Sequence, residues 1–348
     1  MFSTYKLEDV EILLKDISGA VEPLDNESRE KLIQQGVHYS EMLPLEYKPS
    51  KEYLYTYETA LRQSAQITAD AVAAVSDKIW KSKGRDIVLV SLARAGTSIG
   101  ILLKRFIKKK YDCDVPHYTI SIIRGKGIDK NAMEYILKRH DPQNIQFVDG
   151  WVGKGAIQNQ LNAAMREYPD VDSGLAVLSD PAGAASYCGT NEDFLIASSC
   201  LNSVVSGLLS RTFYRNDIIG KSDFHGAAFY RNLIGCDLTY QFIETIEEKF
   251  DLSYEDNENF SSRNGMSETE EIYEKFHMTD INFIKPGIGE TTRVLLRRIP
   301  WKILVRSLDD YEHLGHIYVL AREKNADIEV YPLKTYRACG LIKKLADT

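Results

Sequence analysis

Apolar positions along the chain fall into two alternating rhythms. Leu61, Ala65, Val72, Val75 and Ile79 recur at helical spacing and predict an amphipathic helix. The run IVLVSLA (87–93) is continuously apolar, as expected of a strand buried on both faces. The alternation then repeats. Helices are expected in TSIGILLKRFIKKK (97–110), near 129–140, from Ala156 onward, and in VVSGLLSR (204–211). Strands are expected in HYTISII (117–123), IQFVD (145–149), GLAVLSD (174–180) and FLIAS (194–198). Strands alternating with helices predict an α/β fold, a mostly parallel sheet covered on both faces.

Residues 251–274 break both rhythms, with eight acids to one base, and predict a solvated linker over 251–283. A compact unit is expected over 284–348. RVLLRR (293–298), WKILV (301–305) and IEVYPL (328–333) read as strands, Ser307 and Asp310 form an S-x-x-D capping box, a helix covers about 308–324, and RACGLIKKL closes the chain. This is a small α/β sandwich behind a body of residues 1–250. The first 56 residues of that body read as an N-terminal extension, with His38–Glu41 forming part of a hood over the site.

Composition adds a division of charge. The chain has 348 residues, 44% hydrophobic, with formal net charge −7. Residues 284–348 carry 12 of the 43 Lys and Arg but only 8 of the 50 Asp and Glu, so a weakly basic tail follows an acidic body. No apolar run approaches the ~20 residues of a membrane span. The N-terminus lacks a signal-peptide layout, and the five cysteines (Cys113, Cys188, Cys200, Cys236, Cys339) are scattered without CxxC spacing. A reducing cytoplasm is the natural expectation.

In parallel sheets ligands bind beyond the carboxyl ends of the strands, and the segments rich in Gly, Ser or charge lie there. NIQFVDGWVGKGAI (144–157) runs from strand through Asp149 into a turn with Gly150, Gly153 and Gly155, then into a helix. Glycines let backbone approach an anion, and free N–H groups at a helix start bind phosphate. Asp149 is placed to hold ribose hydroxyls directly or through Mg²⁺. The spacing is not that of a Walker loop. SLARAGTSIG (91–100) offers a second phosphate site with Arg94, or is an ordinary strand–helix turn. SIIRGKGIDK (121–130) sets Arg124 and Lys126 between glycines, either a loop closing over an anion or a solvated hairpin tip. Asp180, opening DPAGAAS, recognises the acceptor or acts as a general base, or is an N-cap. Asn202, Ser203, Ser206, Ser210 and Arg211 are weaker candidates, since small residues there also suit close packing.

Taken together, SLARAGTSIG, YTISIIRGKGID, FVDGWVGKGAI, LSDPAGAAS, CLNSVVSGLLSRT and DFHGAAFY resemble a phosphoribosyltransferase-like family of tellurite-resistance and stress operons, also known as the cysteine protease StiP family. The resemblance covers about 1–250 and implies a sheet of the type I phosphoribosyltransferase kind. The tail resembles a Pelota-type RNA-binding domain. By this resemblance Ala93, Arg94, Ala95, Gly96 and Thr97 form the diphosphate loop. Arg124 and Lys126 lie on the flexible catalytic loop. Asp149, Gly150, Trp151, Val152, Gly153, Lys154, Gly155 and Ala156 hold phosphoribosyl diphosphate, with Mg²⁺ as cofactor near Asp149. The family pattern has two adjacent acids at this strand end, whereas Gly150 follows Asp149 here, so Asp180 is carried as a further catalytic candidate. The implied activity is transfer of a 5-phosphoribosyl group to an unidentified base-like acceptor, in the synthesis of a nucleoside-like metabolite. Structured RNA is the partner implied for the tail, with Arg293, Arg297, Arg298, Lys302 and Arg337 as phosphate contacts. A homodimer is left open.

Two rival readings stand beside it. A cysteine protease would use Cys200 and His225, residues that otherwise read as core. A non-catalytic sensor of nucleotides or RNA would keep the fold and lose the chemistry.

Overall fold

The structure is a computed structural model and describes residues 2–255 and 265–343. Six parallel strands form the main sheet, in the order Glu11–Ile12, His117–Ile120, Val88–Leu92, Ile145–Val148, Leu175–Ser179, Tyr187–Thr190. Side chains alternate between its faces. Leu89, Val148, Ala176 and Leu178 join the helices Lys51–Lys83, Ala95–Tyr111 and Thr239–Glu247 on one side. Val88, Val90, Phe147, Leu175 and Val177 join Lys130–Leu137 and Ala156–Met165 on the other.

The C-terminal unit has a four-stranded sheet in the order Ile284–Pro286, Ala338–Ile342, Pro300–Val305, Asp327–Val330. Helices Ile288–Arg297 and Tyr311–Glu323 pack with Ile303 and Val305, and helix Gly265–Lys275 covers the opposite face through Ile272. The unit is docked on the body by apolar contact, because Ile288 and Leu295 belong to the same buried cluster as Ile99 and Leu201.

The structure departs from the sequence reading in four places. RVLLRR ends a helix rather than forming a strand. Ile288, Thr291, Thr292 and Leu295 recur at helical spacing and are all buried, and Pro300 lies beyond the last turn. VVSGLLSR is a 3₁₀ turn, because Gly207 and Leu208 both take positive φ, 66° and 55°, which a right-handed helix cannot contain. FLIAS stays outside the sheet, and the edge strand is Tyr187–Thr190. There the sheet closes on the long helix because Gly189 has no Cβ, which would lie 2.5 Å from that of Ala71. Within the stretch read as linker, Gly265–Lys275 is helical and packs on the C-terminal sheet. Residues 256–264 and 344–348 of the expected linker and tail lie outside the described residues.

Candidate functional site

A cleft of about 540 Å³ opens above the carboxyl ends of the central strands. Its floor is the turn after Ile145–Val148. Asp149 stands half-buried at the strand tip, and one of its carboxylate oxygens accepts the Gly150 N–H at 2.7 Å. Burial pushes its pKa up to about 6. The turn is pinned by the Val152 N–H donating to the Ser179 carbonyl and by a buried Val152 side chain. Gly155 takes φ 82° and starts the helix Ala156–Met165. The N–H groups of that first turn have no intrahelical acceptor, and Gly155, Ala156 and Ile157 line the cleft. A Cβ on Gly155 would lie 3.2 Å from that of Ala184, in the turn that Asp180 opens.

Lys154 does not project freely into the cleft. Its ammonium donates to the carbonyls of Ile281 and Ile284, at 2.5 and 3.2 Å, and burial brings its pKa down to about 8. Asp180 is buried, and a side-chain oxygen accepts the Ala185 N–H at 2.7 Å. Asp180 thus orders the turn that backs Gly155 rather than facing the cleft.

The segment around Arg94 divides. The Ala93–Arg94 peptide is cis, and Ala95 reaches the cleft. Arg94 turns away to Glu46 (3.1 Å) and the Leu209 carbonyl (2.5 Å), lining a second cavity of about 240 Å³. Gly96 is a close-approach glycine: a Cβ would lie 2.5 Å from the Val148 carbonyl oxygen. Thr97 is buried and hydrogen-bonded to Thr119 at 2.7 Å.

Arg124 and Lys126 sit on a hairpin formed by Ile122–Ile123 and Gly127–Ile128. The Arg124 guanidinium donates to Asn282 at 2.8 Å, its carbonyl bonds the His38 ring at 2.9 Å, and its N–H donates to the Tyr39 hydroxyl at 3.0 Å. Lys126 pairs with Glu41 at 2.7 Å. The hairpin and residues 38–41 therefore form one roof.

The opposite wall comes from the C-terminal unit. Arg293, Arg297 and Arg298 line the cleft, together with Lys285 and Glu290. Arg293 lies 4.1 Å from the Trp151 ring, a cation–π contact, and 3.0 Å from Glu290. Arg298 grips Glu30 through two bonds, 2.6 and 2.9 Å. Burial works against the Glu30 charge, but Arg298 and Gln34 outweigh it and hold the carboxyl below its usual range. Of the other two bases assigned to RNA, Lys302 pairs with Glu329 and Arg337 with Glu192 and Asp310.

Several joints were not foreseen from sequence. Asp193 is buried and accepts the N–H groups of Ile288 (2.9 Å) and Arg337 (2.8 Å), so a carboxylate of the body caps a helix of the tail. Tyr336 donates to the Gly153 carbonyl at 2.7 Å. Arg29 and Glu30, on helix Asn26–Gln34, and Lys285 also line the cleft. An Asp or Arg in a polar segment gives no local sign of a partner nearly 100 or more residues away.

Cys200 is buried and its thiol is pushed up to about 12 by burial. His225 bonds Ser121 at 2.8 Å, and its N–H donates to Asp129 at 2.5 Å. No cysteine–histidine hydrogen bond occurs among the described residues. No group of three or more metal-type side chains occurs among them, and no helix there is long and apolar enough to cross a membrane.

These elements define an α/β protein whose cationic cleft lies between a parallel sheet and a small docked C-terminal domain. Residues 3–247 match the family described as tellurite-like stress resistance cysteine protease StiP, and residues 263–344 match the PELOTA RNA binding domain. A protein of Acinetobacter baylyi named cysteine protease StiP is 34% identical over 98% of this chain and 94% of its own. The chain belongs to the StiP family, which is named for an enzyme. Among solved structures, a hypoxanthine-guanine phosphoribosyltransferase of Bacillus anthracis matches at 20% identity and TM-score 0.27, over 36% of this chain and 75% of that one. The Trypanosoma cruzi hypoxanthine phosphoribosyltransferase in complex with IMP matches at 15% identity and TM-score 0.28, over 38% and 72%.

Proposed function

We propose that the cleft binds 5-phosphoribosyl diphosphate and transfers its phosphoribosyl group to a base-like acceptor. The observation that carries this is the turn 149–157, an acid at a strand tip followed by a glycine-started helix, opening on a cleft lined by eight Lys and Arg against four Asp and Glu. The N–H groups at the start of Ala156–Met165 hold the 5-phosphate. Asp149 holds the ribose hydroxyls through its open carboxylate oxygen. Mg²⁺ commonly binds one carboxylate together with substrate phosphates, so a single acid suits it. When bound, it would be held by Asp149 and the ligand and would neutralise diphosphate charge.

In the transfer, the bond from the anomeric carbon to the diphosphate breaks, and the diphosphate leaves with the electron pair. An acceptor nitrogen forms the new bond and passes its proton to the departing diphosphate. The protein contributes by position and charge. Arg124 and the roof of residues 38–41 exclude water. The C-terminal domain, whose family is described as RNA-binding, brings RNA to the rim of the same cleft.

Isothermal titration with 5-phosphoribosyl diphosphate, with and without Mg²⁺, tests the reading. Mg²⁺-dependent binding is expected, followed by diphosphate release when the right acceptor is supplied from a panel of bases. Absence of heat at millimolar ligand would remove the transferase assignment.

A further inference from the structure

The arginines of the cleft exceed what the turn requires, and several keep unpartnered nitrogens even where another nitrogen is engaged, as Arg293 is by Glu290 and Arg297 by the Leu201 carbonyl at 3.0 Å. Arg29 is 5% exposed, and its Nε is buried without a hydrogen-bond partner. The Nε atoms of Arg293 and Arg297 are likewise buried and unpartnered. The Arg211 guanidinium makes no hydrogen bond among the described residues and lies 5.0 Å from the Tyr39 ring. Burial, together with Arg29, Arg94 and Arg293 nearby, brings the Arg211 pKa down to about 10. Arg29, Arg211 and Arg297 line both the cleft and the 240 Å³ cavity behind it, so they stand where one opens into the other. Their acidic neighbours are already engaged: Glu30 by Arg298, Glu46 by Arg94 and Ser203, Glu290 by Arg293.

Buried like charges with unfilled donors are costly, and a bound anion relieves that cost. We propose that Arg29, Arg211, Arg293 and Arg297 form a second phosphoryl-anion subsite, distinct from the turn at 149–157 and completed by the C-terminal domain. Two of its four arginines belong to helix Ile288–Arg297, one turn apart on one face. The proposal rests on the transferase reading only for the identity of the natural occupant. That occupant is either the diphosphate of the donor or a phosphate carried on the acceptor.

The test uses the full chain and two probes. Ribose 5-phosphate reads the turn, and inorganic diphosphate reads the arginines. Arg211→Gln and Arg297→Gln are expected to weaken diphosphate binding by roughly ten- to hundredfold and to leave ribose 5-phosphate within about twofold. Arg211→Gln should also melt close to the wild type, because its guanidinium makes no hydrogen bond among the described residues and only a distant ring contact with Tyr39. Unchanged diphosphate affinity in both variants overturns the subsite. Equal loss of both probes, with a lower melting point, overturns it too and assigns these arginines to structure.

A further titration of inorganic phosphate into protein saturated with 5-phosphoribosyl diphosphate separates the two sources. Loss of phosphate binding assigns the subsite to the donor's diphosphate. Persistent binding that depends on Arg211 assigns it to the acceptor. If neither ribose 5-phosphate nor 5-phosphoribosyl diphosphate binds while inorganic diphosphate still does, the transferase reading falls and the subsite stands.

Discussion

The turn 149–157 and the helix Ile288–Arg297 both line one cleft, and under the proposed reading they would meet an anion by different means. The turn offers backbone: glycines, the start of a helix and one acid. The helix offers side chains, with arginines set against Trp151 and the hood. Backbone donors are fixed by the fold and give geometry at little entropic cost, whereas guanidinium groups give charge and bidentate reach but must be held by neighbours. On the proposed reading, shape recognition would reside in the body and charge neutralisation would be shared with the docked domain.

Four experiments would break or sharpen that comparison. The largest effect is expected from Gly155→Val. Positive φ at this position, with a Cβ 3.2 Å from Ala184, forces the turn to rearrange. Backbone strain of roughly 1–3 kcal/mol is expected, with loss of ribose 5-phosphate binding by about a hundredfold or more, measured by titration. An unchanged affinity would place the phosphate elsewhere.

Asp149→Asn comes next. Losing a charge-assisted hydrogen bond costs roughly 1.5–3 kcal/mol, so affinity for 5-phosphoribosyl diphosphate should fall about ten- to hundredfold. The apo protein should nevertheless gain stability at pH 7, by on the order of 1–3 kcal/mol. The folded pKa of about 6 lies above the unfolded value of about 3.9. The favourable contribution of the protonated group is therefore complete below the unfolded value and is lost as pH rises through about 6. Melting curves of wild type and variant should converge by about pH 4. Parallel curves across that range would contradict the burial argument.

Arg298→Met separates the walls. It leaves the buried Glu30 carboxylate without its bidentate partner, with Arg298 itself about a quarter exposed. A loss of about 1–3 kcal/mol is expected. It should appear in hydrogen exchange as faster opening of helix Asn26–Gln34 and of Ile288–Arg297, with the central strands unaffected. Exchange confined to one of the two helices would show that they do not move together.

The smallest effect belongs to Cys200. Its buried, unionised thiol should react with iodoacetamide at neutral pH far more slowly than Cys113. Cys200→Ala should cost about 1 kcal/mol and leave ligand binding within twofold. Fast, selective alkylation of Cys200 would favour a nucleophilic role.

What the sequence made legible was local. Mostly apolar runs marked the central strands, because both faces are buried and the few polar positions within them, such as Ser91, Thr119 and Gln146, are small or hydrogen-bonded internally. The strand–Asp149–glycine turn was readable because its chemistry is contiguous. The edge strand Tyr187–Thr190 was not, since Tyr, Cys, Gly and Thr carry no apolar run, and its place depends on a glycine meeting Ala71. RVLLRR was misread because six residues fit either period until Ile288 and Thr291 are counted with them. The charged wall was hidden for a different reason. Arg293, Arg297 and Arg298 look like a basic strand awaiting nucleic acid, and only tertiary docking turns them toward Trp151 and Glu30.

The Glu30–Arg298 clasp also bears on timing. It ties helix Asn26–Gln34 to the C-terminal domain, so a molecule lodged deeply enough to need the two to part departs no faster than they do. Residence time is then set by the rate of parting rather than by the strength of any one contact to the guest. Added salt, which screens the partly exposed Arg298 but reaches the buried Glu30 poorly, should shorten that residence only modestly.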